Sequence, residues 1–189
     1  METKNIMIVG VGGQGTLLAS KLLGKLLLTK GYDVKVSEVH GMSQRGGSVV
    51  TYVRYGDKVY SPVIDEGEAD FVLSFELLEA ARNAKFLKSN GILLTNTQKI
   101  NPMPVITGNA EYPENLEEKL GKIVKIDAID ALSLAEKAGS TKAVNLVLLG
   151  RLSTYFDFTP EEWEKAIEEG VPAKFIELNK KAFRLGRGE

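Results

Sequence analysis

Residues 5–15 read Asn5-Ile6-Met7-Ile8-Val9-Gly10-Val11-Gly12-Gly13-Gln14-Gly15. The first six form a short apolar run ending in glycine, the pattern of a buried strand. The last six fit G-x-G-x-x-G, with glycines that permit a tight turn and a close backbone approach. A helical pattern follows from 14 to 29, with apolar residues at 17, 18, 22, 23, 26 and 27, and Gly31 stops it. Residues 34–39 (VKVSEV) then alternate like a second strand. Strand, glycine turn, helix and strand make a βαβ unit, which implies a parallel sheet with a right-handed crossover.

Outward from this unit, residues 41–47 (GMSQRGG) form a second glycine-rich loop. Residues 48–55 (SVVTYVRY) read as a strand that turns at Gly56-Asp57 into a hairpin partner at 58–61. Further strands are expected at 71–75 and 92–96, with a helix at 76–83 between them. Residues 97–113 hold three prolines and read as irregular, with a short strand at 104–107. One more strand is expected at 122–126. From Asp127 the pattern is helical: 128–138 up to Gly139, an apolar stretch at 144–155, a helix opened by Thr159-Pro160, and a last helix over 174–185. The expected architecture is a single α/β domain over 1–189. It is Rossmann-like, an open, mainly parallel sheet flanked by helices, with a β-hairpin and a helical C-terminal region.

Composition narrows the chemistry. The chain has 189 residues and no cysteine, so disulfides, thiol nucleophiles and iron–sulfur ligation are excluded within it. A single histidine, His40, argues against a zinc site, and no metal site is expected. A net charge of −1 gives no general attraction to nucleic acid or to an anionic membrane. No apolar stretch approaches a membrane span and no signal peptide is read, so the expected compartment is the cytoplasm.

The turn Gly12-Gly13-Gln14-Gly15 offers backbone N–H groups and a helix N-terminus to a phosphate or carboxylate. The plainer reading is close helix–sheet packing. Glu38, about 20 residues on, stands where a dinucleotide-binding protein holds its ribose. A stand-alone NAD- or FAD-dependent oxidoreductase is therefore an alternative. The stretch 37–48 (SEVHGMSQRGGS) concentrates His40, Met42, Ser43, Gln44, Arg45, Gly46 and Gly47 at the C-terminal end of a strand, where open α/β sheets place their sites. Arginine beside backbone N–H groups makes an anion cradle. His40 is either a base or a hydrogen-bonded structural group. Trp163 and Phe156-Asp157-Phe158 read as core or partner surface, and Leu146–Leu149 as core.

Together, GVGGQG at 10–15 and SEVHGMSQRGGSV at 37–49 resemble the γ-type domain of 2-oxoacid:ferredoxin oxidoreductases, and most closely the small subunits of the indolepyruvate type. The resemblance continues through ADFVLSFELLEAAR at 69–82, GILLTNT at 91–97, VNLVLLGRLSTYF at 144–156 and ELNKKAFRLG at 177–186. It implies a subunit inactive alone, working with a larger α subunit that carries thiamine diphosphate and iron–sulfur clusters. It implies coenzyme A as co-substrate, ferredoxin as electron acceptor and an aryl 2-oxoacid as substrate. No thiamine motif of the G-D-G…N kind is recognisable in this chain, so no cofactor is expected in it alone. On the same resemblance, Gln44, Arg45 and the Gly46-Gly47 backbone are candidates for contacting an anionic group, and Glu38 and His40 for orienting the loop or moving a proton.

Overall fold

The computed structural model describes residues 2–41 and 46–189. In chain order the elements are β1 (Lys4–Val11), α1 (Thr16–Thr29), β2 (Asp33–His40), β3 (Ser48–Gly56), β4 (Ala69–Ser74), α2 (Leu77–Asn83), β5 (Leu87–Asn96) and the short α3 (Met103–Ile106). After these come α4 (Leu116–Gly121), β6 (Lys125–Ile129), α5 (Ala131–Ala138), α6 (Val144–Ser153), α7 (Pro160–Gly170) and α8 (Ile176–Arg187). The strands form one six-stranded sheet in the order β2-β3-β1-β4-β5-β6. The run β1-β4-β5-β6 is parallel, whereas β3 is antiparallel to both of its neighbours, β1 and β2. The expectation of an open, mainly parallel α/β sheet with a hairpin and helical C-terminal end holds.

Three expectations are corrected. The hairpin joins β2 to β3 through 41–47; residues 58–61 are not a strand, and β3 instead spends both of its edges on β1 and β2. β3 thereby sits between β1 and β2, so the strand–helix–strand unit crosses over one intervening strand. Residues 103–106 form a turn of helix rather than a strand, opened by Pro102 and Pro104, whose missing N–H groups cost nothing in a first helical turn. The sixth strand runs to Ile129, and the next helix starts only at Ala131, because Asp130 caps it. Gly139 closes that helix at φ 122°.

The sheet separates two apolar layers. On one face Ile6, Ile8, Val53, Leu73 and Leu94 meet α1, α5, α6, α7 and α8. On the other, Met7, Val9, Val72 and Leu93 meet α2 and α4. The central strands alternate between these layers, which is why β1 reads as a continuous apolar run. Leu146 to Leu149 are wholly buried, and so is Trp163, packed edge-on to Phe156 and beside Phe183. Thr159 and Glu162 complete a reciprocal capping box at the start of α7. Among the described residues no helix is long and apolar enough to cross a membrane.

Candidate functional site

β1 ends in the core, and the chain must reverse within four residues to start α1. Gln14 makes the reversal. Its Oε1 accepts from the Val11 N–H at 2.8 Å, and its Nε2 donates to the Phe75 carbonyl at 3.1 Å. Its amide is thus engaged within the turn, tying it to the end of β4. Gly13 and Gly15 take the left-handed conformation, at φ 102° and 88°. A side chain on Gly13 would meet nothing within 4 Å, so its backbone faces open space. A Cβ on Gly15 would lie 2.8 Å from the Asn145 Nδ2, so α1 begins against the side chain of a buried asparagine on α6.

The second glycine loop is clasped to the first. The Gly12 N–H donates to the Gly47 carbonyl at 2.8 Å, and the Gly46 N–H donates to the Gly12 carbonyl at 3.4 Å. Glu38 and His40, two residues apart on β2, share one face of the sheet. With Gly12, Gly13, Gly15, Thr16, Leu17 and Val49 they line a cleft of about 410 Å³ at the N-terminus of α1. Both are exposed: Thr51 Oγ1 lies 3.5 Å from the Glu38 carboxylate, and His40 Nδ1 lies 3.1 Å from the Gly41 carbonyl. The cleft therefore brings together Gly12, Gly13, Gly15, Glu38 and His40, with Gly46 and Gly47 bonded to its wall. Met42, Ser43, Gln44 and Arg45 lie outside the described residues.

The arrangement can hold an anion at the start of α1, where N–H groups and the helix dipole converge on a glycine surface. Glu38 and His40 line the same cleft. Among the described residues no group of three or more histidines and carboxylates is placed to hold a metal ion.

Three buried polar residues at or beyond the ends of β4 and β5 stand outside the sequence expectations: Glu76, Glu79 and Asn96. Glu76 is 1% exposed and Glu79 is 2% exposed. Glu76 caps α2 through the Glu79 N–H at 2.9 Å, and also accepts from the Ile100 N–H at 3.0 Å and the Tyr112 hydroxyl at 2.5 Å. Burial, and then the hydrogen bond to Glu76, push the Tyr112 phenol up. Asn96 is buried as well, and its Oδ1 accepts from the Ala131 N–H at 3.2 Å. The signal was present in LLTN and LSFE, apolar strands that finish on a polar residue with no solvent-facing alternation.

Comparison with known proteins agrees with this fold. Residues 5–189 match the family model described as pyruvate ferredoxin/flavodoxin oxidoreductase. The indolepyruvate oxidoreductase subunit IorB of Thermococcus kodakarensis is 47% identical, over 98% of this chain and 95% of that one. The subunit of the same name from Archaeoglobus fulgidus is 44% identical, over 96% of this chain and 92% of its own. The crystal structure of pyruvate oxidoreductase subunit PORC from Thermotoga maritima superposes with a TM-score of 0.78 at 27% identity, over all of this chain and 97% of that one. With one family model matched across the described fold and oxidoreductase subunits this similar over nearly the whole chain, the chain belongs to the pyruvate ferredoxin/flavodoxin oxidoreductase family, as a subunit of an oxidoreductase complex.

Proposed function

We propose that this chain is the small subunit of a thiamine diphosphate-dependent 2-oxoacid:ferredoxin oxidoreductase. The complex would oxidatively decarboxylate indolepyruvate and other aryl pyruvates. With coenzyme A it would yield an aryl-acetyl-coenzyme A and carbon dioxide, the electrons passing to ferredoxin. The observation that carries this reading is the 44–47% identity, over nearly the full chain, to relatives named as indolepyruvate oxidoreductase subunits. Thiamine diphosphate and the iron–sulfur clusters are assigned to the larger α subunit: this chain has no cysteine to ligate a cluster and no recognisable thiamine motif. Within the complex, thiamine diphosphate supplies the electron sink for decarboxylation. The compartment is the cytoplasm.

This chain contributes an anion-binding wall. Gly12, Gly13 and Gly15 present backbone to the cleft while Gln14 braces their turn. From the sequence, Met42, Ser43, Gln44 and Arg45 are the candidates for contacting a carboxylate or phosphate of substrate or coenzyme A, the arginine through its guanidinium. Gly46 and Gly47 join the wall to Gly12, and Glu38 and His40 orient the loop or move a proton. A dinucleotide reading also uses Glu38, but β3 lies between β1 and β2, so the carboxylate stands two strand spacings from the glycine turn, roughly 10 Å.

The test is co-expression with the larger subunit, followed by an assay of arylpyruvate- and coenzyme A-dependent reduction of ferredoxin or a viologen dye. Activity in the complex and none in the isolated chain is expected. An assembled complex without oxoacid-dependent dye reduction overturns the reading.

A further inference from the structure

Ser48 is the first residue of β3 and stands opposite Val11, the last residue of β1. Both glycine loops therefore leave the sheet at this one rung. The loops hold each other by two backbone hydrogen bonds, between Gly12 and Gly46 and between Gly12 and Gly47. Backbone contacts between glycines carry no side chain to restrict the geometry, so the position of the clasp depends on what fixes the rung itself.

That anchor comes from outside the loops. The Ser48 hydroxyl donates to Glu79 Oε2 at 2.6 Å. Glu79 lies on α2, a helix on the opposite face of the sheet from α1. Its second oxygen accepts from Arg82 at 2.6 Å. The carboxylate is almost wholly buried, whereas the arginine is half exposed and lines a cleft of about 320 Å³ together with Gly46, Ser48 and Glu79. As a device for stability alone this is a costly choice, because an apolar side chain of similar volume avoids the desolvation of the charge. As a device for position it is well suited: a bond to a charged acceptor is shorter and about twice as strong as a neutral one.

We propose that Glu79 is a positioning residue for the candidate site, acting through Ser48 to hold Gly46 and Gly47 against Gly12 so that the anion-binding wall is formed before substrate arrives. The proposal rests on the reading of the cleft as a substrate or coenzyme A site. Arg82 holds the second oxygen of the Glu79 carboxylate, so the path runs from Arg82 through Glu79 and Ser48 to the glycine turn.

The experiment compares Ser48→Ala, Ser48→Thr and Glu79→Gln with the wild type, in two measurements. In the co-expressed complex, Ser48→Ala is expected to lower kcat/KM for coenzyme A or the oxoacid about tenfold while Tm falls by only about 2–4 °C. Ser48→Thr, which keeps the hydroxyl, is expected to stay within about twofold of the wild type, whereas Glu79→Gln, which removes the charge from the acceptor, is expected to fall between the wild type and Ser48→Ala. In the isolated chain, amide hydrogen exchange at Gly12 and Gly46 is expected to quicken about tenfold in Ser48→Ala, by less in Glu79→Gln and not in Ser48→Thr. Kinetic constants of Ser48→Ala within about twofold of wild type, or unchanged exchange at both glycines, overturn the proposal. A wild-type complex that turns over no oxoacid sinks the subunit reading instead, and exchange then decides the anchor by itself.

Discussion

Gly150 of α6 packs directly on the backbone of Phe183 in α8: a Cβ on Gly150 would fall well inside contact distance of the Phe183 carbonyl. The approach is mutual, because Gly186 of α8 sits in the same way against the Val147 carbonyl. Two backbones this close leave no direction in which a methyl group can relax. Gly150→Ala is expected to cost about 3 kcal/mol or more. A urea midpoint close to that of wild type would contradict the interlock.

The Gly15–Asn145 contact separates backbone strain from collision. Gly15→Ala meets both, at φ 88° and 2.8 Å from the Asn145 Nδ2. We expect a loss of about 2 kcal/mol, of which Asn145→Ala in the same chain restores about 1 kcal/mol by removing the obstacle. Strictly additive effects in the double-mutant cycle would refute the contact.

Asp127 Oδ2 accepts from the Tyr155 hydroxyl at 2.6 Å and from Arg151 Nε at 2.8 Å. Burial first, and then the bond to Asp127, push the Tyr155 phenol up to about 12 from its ordinary value of 10.0. Its contribution to stability is therefore complete below pH 10 and lost as pH rises toward 12, because the unfolded chain gives up its proton first. Tyr155→Phe is expected to cost about 1 kcal/mol at pH 8 and to flatten the loss of stability between pH 10 and 12. Parallel urea-stability curves for the two proteins over that window would count against the assignment.

Asp130 caps α5, with Oδ1 accepting from the Ser133 N–H at 3.0 Å and Oδ2 from its hydroxyl at 2.6 Å. The hydroxyl is the largest reason that the carboxyl is held below its usual range. Asp130→Ala is expected to cost about 1 kcal/mol at neutral pH. The sign is that of a depressed acid: the contribution is full above the unfolded carboxyl's pKa and vanishes as pH falls through the lower folded value. Thermal unfolding at pH 7 and pH 3 checks it, with the gap between the two proteins expected to be narrower in acid.

Arg45→Ala addresses the anion role directly. In the assembled complex, loss of a charge-assisted contact is expected to raise KM for the oxoacid or coenzyme A by about 10- to 100-fold, with kcat less affected. Steady-state kinetics with each substrate varied in turn decides it, and unchanged constants for both remove Arg45 from the site.

Much of the fold was legible because its signals are local. NIMIVG ends in a glycine turn, Gly31 and Gly139 stop helices, and Thr159-Pro160 opens one; each depends on neighbouring φ/ψ preferences and hydrogen bonds. The half of the candidate cleft that grows from the same signals, the turn Gly12 to Gly15 with Glu38 and His40 at the end of β2, was legible with them. Strand neighbours were not. β3 alternates in the same way whether it pairs with 58–61 or, as found, lies between β1 and β2. Pairing is a contest between distant segments, and period two does not name the winner.

By itself the sequence determined the class of fold, the glycine turn at a helix N-terminus, the exclusion of thiolate chemistry and the family resemblance, since composition and short-range pattern suffice for these. Tertiary structure alone decided that β3 separates β1 from β2, that the two glycine loops clasp each other at Gly12, and that buried Glu79 reaches Ser48 from across the sheet. The reason is physical: each relationship joins residues remote in sequence, and its energy exists only once the core has brought them together.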